Sequence, residues 1–122
     1  DRVDYAWDLA RPLEIMDETL IARSEIGSGL SKEKIDNASI SVQYRHGGEK
    51  IQPNNNVHTK TVKQLFQERG VLPWVRDRFP LVYVNDTLAA IPGVCVDINY
   101  SAELDEPSWQ IVWSGYDKAI QS

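Results

Sequence analysis

The chain has 122 residues, 42% of them hydrophobic and 25% charged, with a formal net charge of −5. That length fits one domain, 1–122, able to bury roughly 65–70% of the surface its unfolded chain would expose. No apolar run approaches a membrane span, so no membrane partner is expected. The single cysteine, Cys95, excludes an internal disulfide and a multi-cysteine metal cluster.

The N-terminus, DRVDYAWDLARPL, lacks the basic-then-apolar layout of a secretion signal. Residues 1–12 are read as the remnant of a linker. The one methionine is Met16, and the chain is expected to be a piece of a longer protein. Leu13–Met16 and Thr19–Glu25 read as short strands with a turn at Asp17-Glu18. A polar, glycine-bearing connection follows over GSGLSKEKIDNA. Ser39–Arg45 alternates, with Ile40, Val42 and Tyr44 on one face, as a half-buried strand does.

The next stretch is irregular: Gly47-Gly48, Pro53 and three asparagines discourage regular structure. Thr59 or Thr61 can cap a helix. Val62, Leu65, Phe66 and Arg69 fall at i, i+3, i+4 and i+7, so the apolar three share a core face and Lys60 and Lys63 lie off it. Gly70 is a natural stop. Pro73 opens a second short helix that ends before Pro80. LVYV and TLAAI form a hairpin about Asn85-Asp86, which Val94–Ile98 extends. Ser108–Trp113 is the last strand, with Trp109, Ile111 and Trp113 on one face. Strands, helices, then strands give an α+β fold with a mainly antiparallel sheet and about two helices.

Charge is unevenly spread. From Tyr44 to Pro80 there are seven cations against three carboxylates, a balance of +4, so the remainder carries −9. A basic segment in an acidic chain is a candidate anion-binding face. Arg45, His46 and Lys50 sit on the glycine loop, and Lys60 and Lys63 at the helix start, whose first-turn N–H groups favour anions. The asparagines add neutral donors for phosphate oxygens. Trp74 is able to stack on a base, although Pro-Trp in an apolar stretch reads first as a core anchor.

Enzymatic alternatives find little support. His46, His58 and Glu49 contain the atoms of a metal site, but not helical ligand spacing. Cys95 with His58 lacks any local signature of a nucleophile and its base; flanked by valines, Cys95 reads as a buried small hydrophobe. A lone thiol fits the cytosol. Neither GSG nor GG has the spacing of a phosphate loop.

Several motifs occur together: Tyr44-Arg45, Gly47-Gly48-Glu49-Lys50, Lys60 and Lys63, Pro73-Trp74-x-Arg76 with Pro80-Leu81, and Pro92-Gly93. In order and spacing, over Ser39–Val96, the chain resembles the C-terminal domain of tRNA(Ile)-lysidine synthase. Two positions depart from the pattern. Gln52 stands where relatives often carry arginine, and Leu72 where proline is frequent.

The resemblance implies a compact β-rich sandwich or barrel-like domain with helices packed on it. It also implies a cytoplasmic parent ligase that uses ATP to join lysine to the wobble cytidine of isoleucine tRNA. That chemistry belongs to an N-terminal catalytic domain with a Ser-Gly-Gly-x-Asp-Ser loop, absent here, which would bind ATP and magnesium. This chain would need no cofactor and be inactive alone. Its partners would be the tRNA, near the acceptor stem, and the catalytic domain of the same polypeptide. The candidate tRNA-binding residues are then Arg45, His46, Lys50 and His58, with Lys60, Lys63 and Arg76. The competing expectation is a basic-faced module that docks on a protein, including its own parent, without binding nucleic acid.

Overall fold

A computed structural model describes residues 4–121. β1 (Tyr5–Trp7), β2 (Leu13–Ile15), β3 (Glu18–Ile26), β4 (Leu30–Ser31) and β5 (Ile40–Gln43) come first. The short β6 (Lys50–Ile51) and β7 (Lys60–Thr61) then lead into α1 (Val62–Arg69) and a 3-10 helix (Pro73–Arg78). β8 (Leu81–Val84), β9 (Thr87–Ile91), β10 (Cys95–Val96), β11 (Pro107–Trp113) and α2 (Tyr116–Ala119) complete the chain. The fold is α+β, as expected. One sheet has the order β1-β5-β8-β9-β10, another β2-β3-β11-β4, and β6-β7 form a separate pair. The strand pairings are antiparallel.

Both sheets and α1 supply one hydrophobic core. At its centre Phe79, fully buried, lies 5.0 Å from Phe66 of α1 and 4.7 Å from Trp113 of β11, ring centre to ring centre. The helix forms where its local chemistry directs. Thr61 Oγ1 accepts the Gln64 N–H at 3.0 Å, and Gln64 Oε1 accepts the Thr61 N–H at 2.9 Å, a reciprocal cap. Val62, Leu65 and Phe66 are buried as their spacing requires. Gly70, at φ 75°, closes the helix: its N–H reaches the Gln67 carbonyl and the Val71 N–H the Phe66 carbonyl.

Four sequence expectations are corrected. The segment 1–12 is not a linker where it is described. Tyr5–Trp7 pairs with β5, and Trp7 and Leu9 are buried in the core; residues 1–3 lie outside the described part. The first hairpin turns at Met16-Asp17, one residue earlier than expected, with φ of 52° and 66°. Two left-handed residues are what a tight hairpin needs, and they leave Glu18 in the ladder. On β11, Ile111 and Trp113 are buried, but Trp109 is only half-buried while Ser108 is fully so. The buried hydroxyl of Ser108 accepts the Ser28 N–H, and the Lys32 ammonium stands 4.0 Å above the Trp109 ring. Lastly, α2 adds a helix beyond the two expected, its four residues carrying too little periodicity to mark it in the sequence. Among the described residues, no helix is long and apolar enough to cross a membrane.

Candidate nucleic-acid interface

The loop between β5 and β6 is held from within. The Glu49 carboxylate accepts the backbone N–H groups of His46 and Gly47, the latter at 3.0 Å. Partial burial pushes this carboxyl up, but the backbone donors outweigh it, and Glu49 titrates below the usual glutamate range. The Glu49 carbonyl accepts the Val62 N–H at 2.9 Å, and Lys50 pairs with Thr61 across β6-β7. The loop is thereby fastened to the start of α1. Gly47 and Gly48 take φ of 124° and 83°, and a Cβ at either would meet nothing within 4 Å. A ligand's backbone has room to come close to the chain there.

The same bonds correct an expectation about α1. Two of its first-turn N–H groups are closed to an anion, because the Val62 N–H is taken by Glu49 and the Gln64 N–H by Thr61.

The seven basic side chains of Tyr44–Pro80 divide into two groups. Four are engaged within the fold. Arg45 Nε donates to Asp77 Oδ1 at 3.0 Å, and its guanidinium carbon lies 5.8 Å from the Phe66 ring centre. Lys60 Nζ reaches both Glu68 oxygens, at 2.8 and 2.9 Å. Arg69 donates to the Gly93 and Val94 carbonyls and the Tyr116 hydroxyl. Arg76 Nε donates to the Val71 carbonyl at 3.0 Å. Lys60, which the sequence pattern places off the core face, is nevertheless half-buried in its bond to Glu68.

Lys50, Lys63 and Arg78 are exposed and have no hydrogen-bond or ion-pair partner among the described residues. Lys50 and Lys63 flank the β6-β7 pair and the helix start. Arg78 stands apart, lining a pocket with Val75, Lys118 and the Met16-Asp17 turn. His46 and His58 are both exposed. Among the described residues no group of three or more His, Cys, Asp or Glu side chains is placed to hold a metal ion. Cys95 is half-buried, and burial, only partly offset by the Arg69 charge, pushes its thiol up to about 12, so at neutral pH it is neither a thiolate nor a nucleophile.

Trp74 is the main surprise. It is 73% exposed rather than a core anchor. In the 3-10 helix Val75 takes the inward position and, with Phe79 just beyond, fills the core, which turns Trp74 outward. Sequence reading had no means of choosing between adjacent apolar residues here.

The family model described as the TilS substrate C-terminal domain matches residues 40–113. This chain belongs to that family. A tRNA(Ile)-lysidine synthase of Coxiella burnetii is 37% identical over 108 residues, 87% of this chain and 24% of that protein. One from Legionella pneumophila (strain Paris) is 44% identical over 75 residues, 62% of this chain and 17% of that protein. The chain therefore spans about a quarter or less of the length of these relatives. A crystal structure of a TilS C-terminal domain matches with a TM-score of 0.74 and 16% identity, covering 100% of both chains. At that identity the likeness is one of fold, and it agrees with the sheets described above.

Proposed function

We propose that this TilS C-terminal domain is an accessory tRNA-holding domain of a cytoplasmic ligase that attaches lysine to the wobble cytidine of isoleucine tRNA. The supporting observation is the pair Lys50 and Lys63, two exposed ammonium groups without partners among the described residues, beside the glycine-open loop. Unpaired cations next to a backbone that permits close approach suit phosphate oxygens. A-form RNA presents phosphates and 2′-hydroxyls on its outer surface, so a domain of this kind reads shape rather than sequence. The exposed imidazoles of His46 and His58 add donors on the same stretch. Arg45, Lys60 and Arg76 serve chiefly to fix the surface, because their charged ends are engaged inside the fold.

The relatives are tRNA(Ile)-lysidine synthases by name, which supports isoleucine tRNA as the ligand; the acceptor stem is the region proposed to be held. ATP and magnesium then belong to the catalytic domain of the parent polypeptide, and this chain contributes binding alone. Retention of isoleucine tRNA in a native gel at low and moderate salt tests the proposal. The chain is expected to retain tRNA, and Lys50→Ala/Lys63→Ala to release it. Equal retention by the variant, or none by the natural chain, would favour a protein-docking face.

A further inference from the structure

Trp74 is a large apolar ring standing in water on a rigid support. The 3-10 helix that carries it is fixed at several points. Leu72 donates its N–H to the Ala119 carbonyl at 2.8 Å, Arg76 holds the Val71 carbonyl, Val75 is buried, and Asp77 is bonded to Arg45. With three residues per turn, positions i and i+3 lie one above the other. Trp74 and Asp77 therefore share one side, and Val75 and Arg78 share another, where they line the pocket beside α2. The Asp77 side is the one joined to the loop, because its carboxylate holds Arg45 at the end of β5. Arg45 also neutralises that carboxylate, so the ground between Trp74 and the loop is not acidic.

Resting on the tRNA-holding reading, we infer that Trp74 is a stacking platform for an unpaired nucleotide next to the duplex whose phosphates the loop lysines engage. An indole face needs a bare aromatic face opposite it. Bases inside a duplex are already stacked on both sides, whereas unpaired nucleotides at an end or bulge are not. Stacking on an aromatic side chain is tolerant of base identity, which fits a domain that reads shape. The net +4 of Tyr44–Pro80 favours a polyanion over an acid-poor protein face as the partner of this tryptophan.

The test compares two RNA hairpins with the same stem, each closed by a flexible non-nucleotide linker in place of a loop, one blunt and one carrying two unpaired 3′ nucleotides. A domain spanning the same fold end to end has been crystallised, so the 122-residue chain is a fair subject. Trp74→Ala is expected to weaken the tailed hairpin about tenfold and to leave the blunt one unchanged. Trp74→Phe, which keeps a ring, is expected to retain most of the affinity. The salt dependence is expected to be the same in all three proteins, because stacking releases no counterions. A melting temperature unchanged by Trp74→Ala verifies that the fold is intact. Equal loss on both hairpins, or no loss on either, would overturn the stacking role. So would unchanged RNA binding combined with lost association to the parent's catalytic domain, which would assign Trp74 to protein docking. Failure of the natural chain to hold either hairpin at low salt would instead remove the RNA reading beneath it.

Discussion

Arg45 Nε stands 3.0 Å from Asp77 Oδ1, although the two residues lie 32 positions apart. This bond ties the end of β5 to the 3-10 helix across the Phe66 ring, and so joins three stretches of the basic segment into one surface. The aspartate is 87% exposed at its side chain and the arginine 23%, which sets how each end should respond to mutation. Removing Asp77 leaves a guanidinium that water can reach. Removing Arg45 strips a packed side chain from the ring. Asp77→Asn is expected to destabilise by less than about 1 kcal/mol, and Arg45→Ala by clearly more. Urea denaturation of both variants checks this, and equal losses would mean that the ion pair alone matters.

Phe66 is fully buried and packs on Phe79. Phe66→Ala is expected to cost roughly 3–5 kcal/mol, as lost transfer energy and a cavity combine. A melt unmoved by the substitution would be incompatible with α1 as the helix that closes this core.

The route to that helix was legible because its signals are local. Thr61, the spacing of Val62, Leu65 and Phe66, and Gly70 all act within one or two turns. The β8-β9 hairpin was legible for the same reason, its turn at Asn85 taking φ 54°. What was hidden depends on distant partners. The pairing of Tyr5–Trp7 with β5 joins segments more than thirty residues apart, and no local pattern in DRVDYAWDLARPL announces it. Within the candidate site the sequence gathered the cations of the basic segment, but could not rank them. Lys60 meets Glu68 eight residues on, outside the i+3 and i+4 spacings that sequence patterns capture. Which basic groups remain available to a ligand is decided by tertiary contacts of this kind.

Glu49 provides a pH test of the loop. Its folded-state pKa is depressed, so its stabilising contribution is present above the unfolded value of the carboxyl and disappears as pH falls through the folded one. Glu49→Gln is expected to melt below the natural chain at pH 7, with the difference narrowing in acid until the two coincide below the folded pKa. Melting curves of both proteins from neutral to acidic pH measure this. A difference that does not shrink with acid would mean that the carboxylate charge is not what holds the His46 and Gly47 N–H groups.

Lys63 and Lys60 are three residues apart in sequence but, under the proposed tRNA-holding role, would differ in what they give to RNA. Lys63 is exposed without a protein partner among the described residues, while Lys60 is held by both Glu68 oxygens. A phosphate contact by Lys63 adds to binding directly and releases condensed counterions. One by Lys60 must first displace a carboxylate. Lys63→Ala and Lys50→Ala are each expected to flatten the dependence of log K on log salt by about 0.9, borrowing the duplex DNA coefficient, and their double variant by about twice that. Weakening should be similar for different tRNAs, since phosphate contacts carry no sequence information. Lys60→Ala is expected to change the slope much less, while Glu68→Gln, which frees the Lys60 ammonium, should steepen it. Titrations of isoleucine tRNA at several salt concentrations distinguish these cases. If Lys60→Ala flattened the slope as much as Lys63→Ala, the Glu68 bond would have to open on binding. If neither lysine moved it, the basic segment would serve another domain rather than RNA.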